Sequence, residues 1–124
     1  RPFAPVVLDK KVDEYFDINK TQSLRQPYKF MLSVAKTKKN MIDNLQAVTH
    51  VDGTARVQIL YENDNPLLYK VIEEFGNISG VYCLINTSFN IRGEPMVASP
   101  KDALKTFTYS DLDILSLENY IIAK

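Results

Sequence analysis

The sequence predicts an α/β domain, and three stretches predict it. Residues 81–85 are apolar without alternation, as in a strand covered on both faces. Residues 56–60 alternate, with Val57 and Ile59 on one side and Arg56 and Gln58 on the other, directly after the tight-turn pair Asp52-Gly53. Asn65-Pro66 is a helix start, Asn as N-cap and Pro at the first helical position, and Leu67, Leu68, Val71, Ile72 and Phe75 follow at helical spacing.

Taken in order, residues 3–8 read as a first strand, with Pro2 and Pro5 at its start, where proline is tolerated. Val12, Tyr15 and Phe16 give residues 9–16 a short helix. Residues 17–26 are polar and read as a loop. Pro27-Tyr28 opens a second strand over 29–35, in which Phe30, Leu32 and Val34 alternate with Met31 and Ser33. Lys36, Lys38 and Lys39 form a basic cluster that reads as a solvated turn. Residues 42–48 carry no clear pattern. The helix after Asn65 reads as core-facing, not as a partner surface, and Gly76 or Gly80 ends it. A strand over 81–86 follows. Ser99-Pro100-Lys101-Asp102 starts the last helix, with Ala103, Leu104 and Phe107 inward. Residues 112–117 and 120–123 close a hairpin through Glu118-Asn119. No repeat, linker or low-complexity segment divides the chain, so one domain over 1–124 is expected.

The bulk numbers narrow the function. A length of 124 residues suits one core, and a net charge of zero offers no basic field for nucleic acid or an anionic membrane. An apolar share of 45% is that of a soluble globular chain, and no apolar run nears the ~20 residues that span a bilayer. Cys83 excludes an internal disulfide, and its apolar setting marks a buried structural thiol. With one His and one Cys, no zinc site of the usual kind is expected. The chain opens at Arg1 without an initiator Met and reads like the middle of a protein, so a fragment of a larger polypeptide is expected.

Three polar clusters carry the chemistry: Arg1, the segment from His50 to Arg56, and the run Asn86, Thr87, Ser88, Asn90 and Arg92. Each lies beside a strand. Two arginines with Ser, Thr and Asn donors suit an oxyanion or phosphate cradle beyond strand ends. The plainer readings stand beside this one: a frayed terminus at Arg1, an exposed strand residue at Arg56, a packed or solvated His50, and a polar turn at 86–92 whose side chains bond their own backbone. Ser88 lacks a Gly-x-Ser-x-Gly elbow, and no Gly-rich P-loop is present.

Three motifs then add a resemblance. Residues 1–8 (RPFAPVVL), 49–58 (THVDGTARVQ), and 86–90 (NTSFN) with Gly93-Glu94-Pro95 resemble the C-terminal domain of the NodU/TobZ-type carbamoyltransferases, over essentially the whole chain. The resemblance implies an α/β (α+β) fold: a twisted mixed β-sheet packed with helices, YrdC-like, and truncated at its N-terminal edge. It implies a cytoplasmic two-domain enzyme. An N-terminal domain of the actin-like ATPase type holds a metal and carbamoylates an acceptor hydroxyl. The C-terminal domain takes carbamoyl phosphate and ATP to carbamoyl adenylate. Arg1, Arg56 and Ser88 match the family's phosphate contacts, and His50, Thr54, Asn86, Thr87 and Asn90 are carried over as substrate-binding neighbours. No metal is expected in this chain. The partners implied are the N-terminal domain and small molecules, with no membrane and no direct nucleic acid, and with self-association left open.

The family's Lys-x-Arg-Glu stretch before the first motif is missing here, so the fragment alone is expected to be inactive. Two further readings remain open: a non-catalytic packing or oligomerisation module, and an RNA-modification domain making threonylcarbamoyl adenylate. Two structural expectations follow. Arg56 and Ser88 should face one cavity from neighbouring strand ends. Residues 3–8 should form an exposed sheet edge, disordered or covered by another copy.

Overall fold

A computed structural model describes residues 3–124, and its central strand is β1, Ala4–Leu8, buried at every position. β1 runs parallel to β5 (Gln58–Leu60) and antiparallel to β6 (Cys83–Asn86), giving a mixed sheet in the order β5-β1-β6. The α/β expectation is met. The expected open edge at residues 3–8 is not, because β1 has a neighbour on each side. Pro5 precedes the parallel ladder, which begins at Val6↔Gln58, so its missing N–H falls where little pairing is lost.

The strand covered on both faces is therefore β1 and not the 81–85 run. β6 is an edge strand, and Ile85 on it is exposed. The sheet's alternation divides the core. Val7, Ile59 and Cys83 point to one side, against Val12, Tyr15, Phe16 and Ala55. Val6, Leu8 and Leu60 point to the other, against Tyr69 and Ile72. Each fully buried Val, Leu, Ile or Phe among them contributes about 1.5–3 kcal/mol relative to exposure.

The first layer is built from α1 (Val12–Tyr15), α2 (Gln22–Lys29) and a small antiparallel sheet of β2 (Phe16–Asp17), β3 (Ala35–Thr37) and β4 (Thr54–Ala55), in the order β2-β3-β4. Here the sequence misled. The helix Gln22–Lys29 replaces the end of the loop expected over 17–26 and the opening of the strand expected over 29–35, of which only Ala35 lies in a strand. Tertiary anchors decide this: Tyr28 is buried and donates its hydroxyl hydrogen bond to the Val34 carbonyl at 3.2 Å, while Arg25 pairs with Asp13 and Lys29 with Asp64. Pro27 sits in the last turn, and the helix stops two residues later. Met31 then takes a left-handed φ of 55°, breaking the alternation and leaving Phe30, Leu32 and Val34 exposed. The unpatterned stretch 42–48 holds a 3₁₀ segment, Asp43–Val48, that buries Leu45 and Val48.

The opposite layer is α3, Pro66–Ser79, capped by the Asn65 side chain, which accepts from the Leu68 N–H at 3.1 Å, and ended by Gly80 at φ 79°. Its buried face is Tyr69, Ile72 and Gly76, rotated from the predicted stripe. The Tyr69 hydroxyl reaches the Asp9 carboxylate at 3.0 Å, and the bare Gly76 admits the Tyr82 ring.

These elements lie in one unit, Arg1–Thr87; a second unit, Ser88–Lys124, has its own small core. In that second unit Ser99 caps α4, Pro100–Tyr109, which buries Ala103, Thr106 and Phe107, with Leu104 outside. β7 (Ile114–Leu117) and β8 (Tyr120–Ala123) form the expected hairpin, its turn made by Glu118 at φ 50°. Among the described residues no helix is long and apolar enough to cross a membrane.

Candidate functional site

The turn from His50 to Thr54 is closed by its own groups. The His50 N–H donates to the Thr54 carbonyl at 2.7 Å, and the Gly53 N–H to the His50 carbonyl at 2.9 Å, with Gly53 at φ 79°. The Asp52 carboxylate accepts from the Thr54 hydroxyl at 2.7 Å and the Thr54 N–H at 2.9 Å, and lies 3.3 Å from the His50 Nδ1. The turn is tied to β3 by the Thr37 N–H, which donates to the Gly53 carbonyl at 2.9 Å, and by the Thr37 and Thr49 hydroxyls at 3.0 Å. Thr54 and His50 thus hold the loop that precedes Arg56.

The Thr54 hydroxyl, then its N–H, then His50 lower the Asp52 pKa from its ordinary 3.8. A carboxylate whose folded pKa is lowered favours the fold above its unfolded value, and that contribution is lost as pH falls through the folded one. In an NMR titration Asp52 is expected to have a midpoint below 3.8, and Thr54→Val should move it back up. An unchanged midpoint in that variant would count against the hydroxyl's role.

Arg56 follows between buried neighbours, Ala55 at 2% and Val57 at 0% exposure. With both inward, Arg56 is turned out, as the alternation predicted, although β4 and β5 are separate strands and not one. It forms no ion pair among the described residues. Two residues on, the Gln58 carboxamide oxygen accepts from the Asn86 side-chain amide, and the Gln58 amide donates to the Lys29 carbonyl at 3.5 Å. Asn86 also approaches the Met31 sulfur at 3.8 Å.

Register explains this meeting. Ala4 lies opposite Asn86, and Val6 opposite Gln58, so the starts of β1 and β5 and the end of β6 share one end of the sheet. Arg56 precedes Gln58 by two residues, as Ala4 precedes Val6, which sets it at the same end, where the exposed Thr87 also emerges from β6. Gln58 is the residue that sequence reading left out of the candidate set. The signal was present, since it shares the outward side of the alternation with Arg56. A groove of ≈330 Å³ runs from Lys29 and Phe30 past Gln58 to Asp64 and Leu68.

Ser88 opens the second unit, exposed. Asn90 braces its own loop: its amide donates to the carbonyls of Ile91 at 3.2 Å and Glu94 at 3.0 Å, and the Glu94 N–H donates to Ile91 at 2.9 Å around Gly93 at φ 90°. That is the polar-turn arrangement. Cys83 is buried, and burial pushes its thiol up to about 12, as expected of a structural cysteine. Arg1 lies outside the described residues.

The family described as "Carbamoyltransferase C-terminus" matches residues 1–124. Nodulation protein NolNO of Sinorhizobium fredii is 44% identical over 100% of this chain and 18% of its own length. Nodulation protein NolO of Bradyrhizobium diazoefficiens is 38% identical over 100% of this chain and 22% of its own. The 3'-hydroxymethylcephem-O-carbamoyltransferase of Amycolatopsis lactamdurans is 34% identical over 82% of this chain and 18% of its own length. The chain thus spans about a fifth of the length of such relatives. It belongs to the carbamoyltransferase C-terminus family.

Proposed function

We propose that this chain binds carbamoyl phosphate and ATP and serves formation of carbamoyl adenylate, for O-carbamoylation by the rest of the polypeptide, an N-terminal domain of the actin-like ATPase type. The observation that carries the reading is Arg56. It is an outward guanidinium without an ion-pair partner among the described residues, set at the sheet end where Gln58 holds Asn86. Water cleaves carbamoyl phosphate to carbamate and phosphate, and a carbamate oxygen then attacks the α-phosphorus of ATP and displaces pyrophosphate; both departures need cations and directed donors more than a protein nucleophile. A guanidinium meets phosphate oxygens two at a time. Thr87 and Ser88 offer exposed hydroxyls, Arg1 a second guanidinium, and His50, Thr54 and Asn90 act by shaping their loops. The O-carbamoyltransferase name of the Amycolatopsis relative supports a hydroxyl acceptor.

The full gene product is expected to exchange pyrophosphate into ATP only when carbamoyl phosphate is present. Exchange without it, or none under any condition, would reject the reading. A second reading, a non-catalytic packing module, is favoured by the internal closure of the His50 turn and the Asn90 loop; absence of exchange together with a normally folded product would select it.

A further inference from the structure

Three residues of the apolar stripe that periodicity assigns to the core, Leu67, Val71 and Phe75, face outward, while its Leu68 and Ile72 pack inward; Ile78 extends the outward row. Leu67 is 74% exposed, Val71 49%, Phe75 42% and Ile78 88%, spaced four, four and three residues apart along one side of α3. At Phe75 the stripe meets an apolar hollow of ≈260 Å³, also lined by Leu45, Val48, Leu84 and Ile85. The wall of that hollow is β6, whose second edge has no partner among the described residues. Edge strands of self-contained proteins are blunted by lysine, proline or a bulge. Cys83-Leu84-Ile85-Asn86 has no lysine or proline, pairs with β1 in unbroken register, and leaves Ile85 48% exposed.

We infer that this face receives an extended apolar segment from the rest of the carbamoyltransferase polypeptide, which pairs along β6, fills the hollow and covers the α3 stripe. An open strand edge beside side-chain pockets is the geometry of strand addition, in which backbone pairing gives affinity and the hollow gives specificity. The relatives NolNO and NolO carry about four-fifths of their length outside the part this chain matches, so the occupant is tethered and binds at high effective concentration. A second copy fits less well, because a two-fold axis would set hollow against hollow. The assignment does not depend on the carbamoyl chemistry and stands or falls apart from it.

Hydrogen exchange on the full gene product tests it. An edge strand directs alternate N–H groups to β1 and leaves the others to solvent. All four amides from Cys83 to Asn86 are expected to exchange slowly, independent of protein concentration. Fast exchange at every second amide would overturn the assignment, and protection lost on dilution would overturn it in favour of a second copy. Ile78→Asp, at a position already exposed here, should cause loss of that protection. Unchanged protection would remove the α3 stripe from the docking face.

Discussion

Arg56→Ala in the full gene product is expected to abolish carbamoyl-phosphate-dependent pyrophosphate exchange and to leave the fold intact. Ala55 and Val57 supply the buried contacts on either side, so removing the Arg56 side chain leaves no cavity. Substitutions at such positions usually change stability by only about ±0.5 kcal/mol. The chemical loss is of another size: arginines that meet charge developing on transferring phosphoryl groups contribute roughly 10³-fold or more. Arg56→Lys should rescue only in part, because an ammonium lacks the planar two-pronged contact. Normal exchange in Arg56→Ala would reject the assignment. Lost exchange together with a collapsed melting temperature would make Arg56 structural.

Part of this arrangement is legible in the sequence. The alternation at 56–60 set Arg56 outward and Val57 and Ile59 inward, and both helix caps, Asn65 and Ser99, were legible from their side chains and the following proline. What was not legible depended on partners distant in sequence. A helix over Gln22–Lys29 rests on Tyr28, Asp13 and Asp64, none of which periodicity detects. The rotation of α3 has the same origin. Its buried face uses a tyrosine whose hydroxyl reaches Asp9 and a glycine with no side chain at all, so hydropathy counted Leu67, Val71 and Phe75 instead. At the candidate site, the motifs named Arg56 and Asn86, but the contact of Asn86 with Gln58 follows from the register of both strands with β1.

Gly76 gives that rotation a measurable consequence. It stands inside α3, three residues before the helix ends; the sequence offers both Gly76 and Gly80 as terminators, and Gly80 has that role. A Cβ at Gly76 would enter the Tyr82 ring, against Cγ as well as the ring edge. The ring has little room to swing, since the Tyr82 N–H donates to the Tyr15 hydroxyl at 2.9 Å and the Tyr82 hydroxyl donates to Asn77 at 2.9 Å. Two effects compete in Gly76→Ala. Helix propensity favours alanine by about 0.8–1.0 kcal/mol. Overpacking costs about 1–3 kcal/mol, at the upper end where the clashing atom sits near its own backbone. Net destabilisation, up to about 2 kcal/mol, is therefore expected. The sign should reverse once the ring is removed: in a Tyr82→Ala background, Gly76→Ala is expected to stabilise by up to about 1 kcal/mol. Urea unfolding followed by far-ultraviolet circular dichroism measures all four members of this cycle, the chain having no tryptophan. A coupling near zero, with Gly76→Ala equally harmful in both backgrounds, would mean that something other than the Tyr82 ring requires glycine in α3.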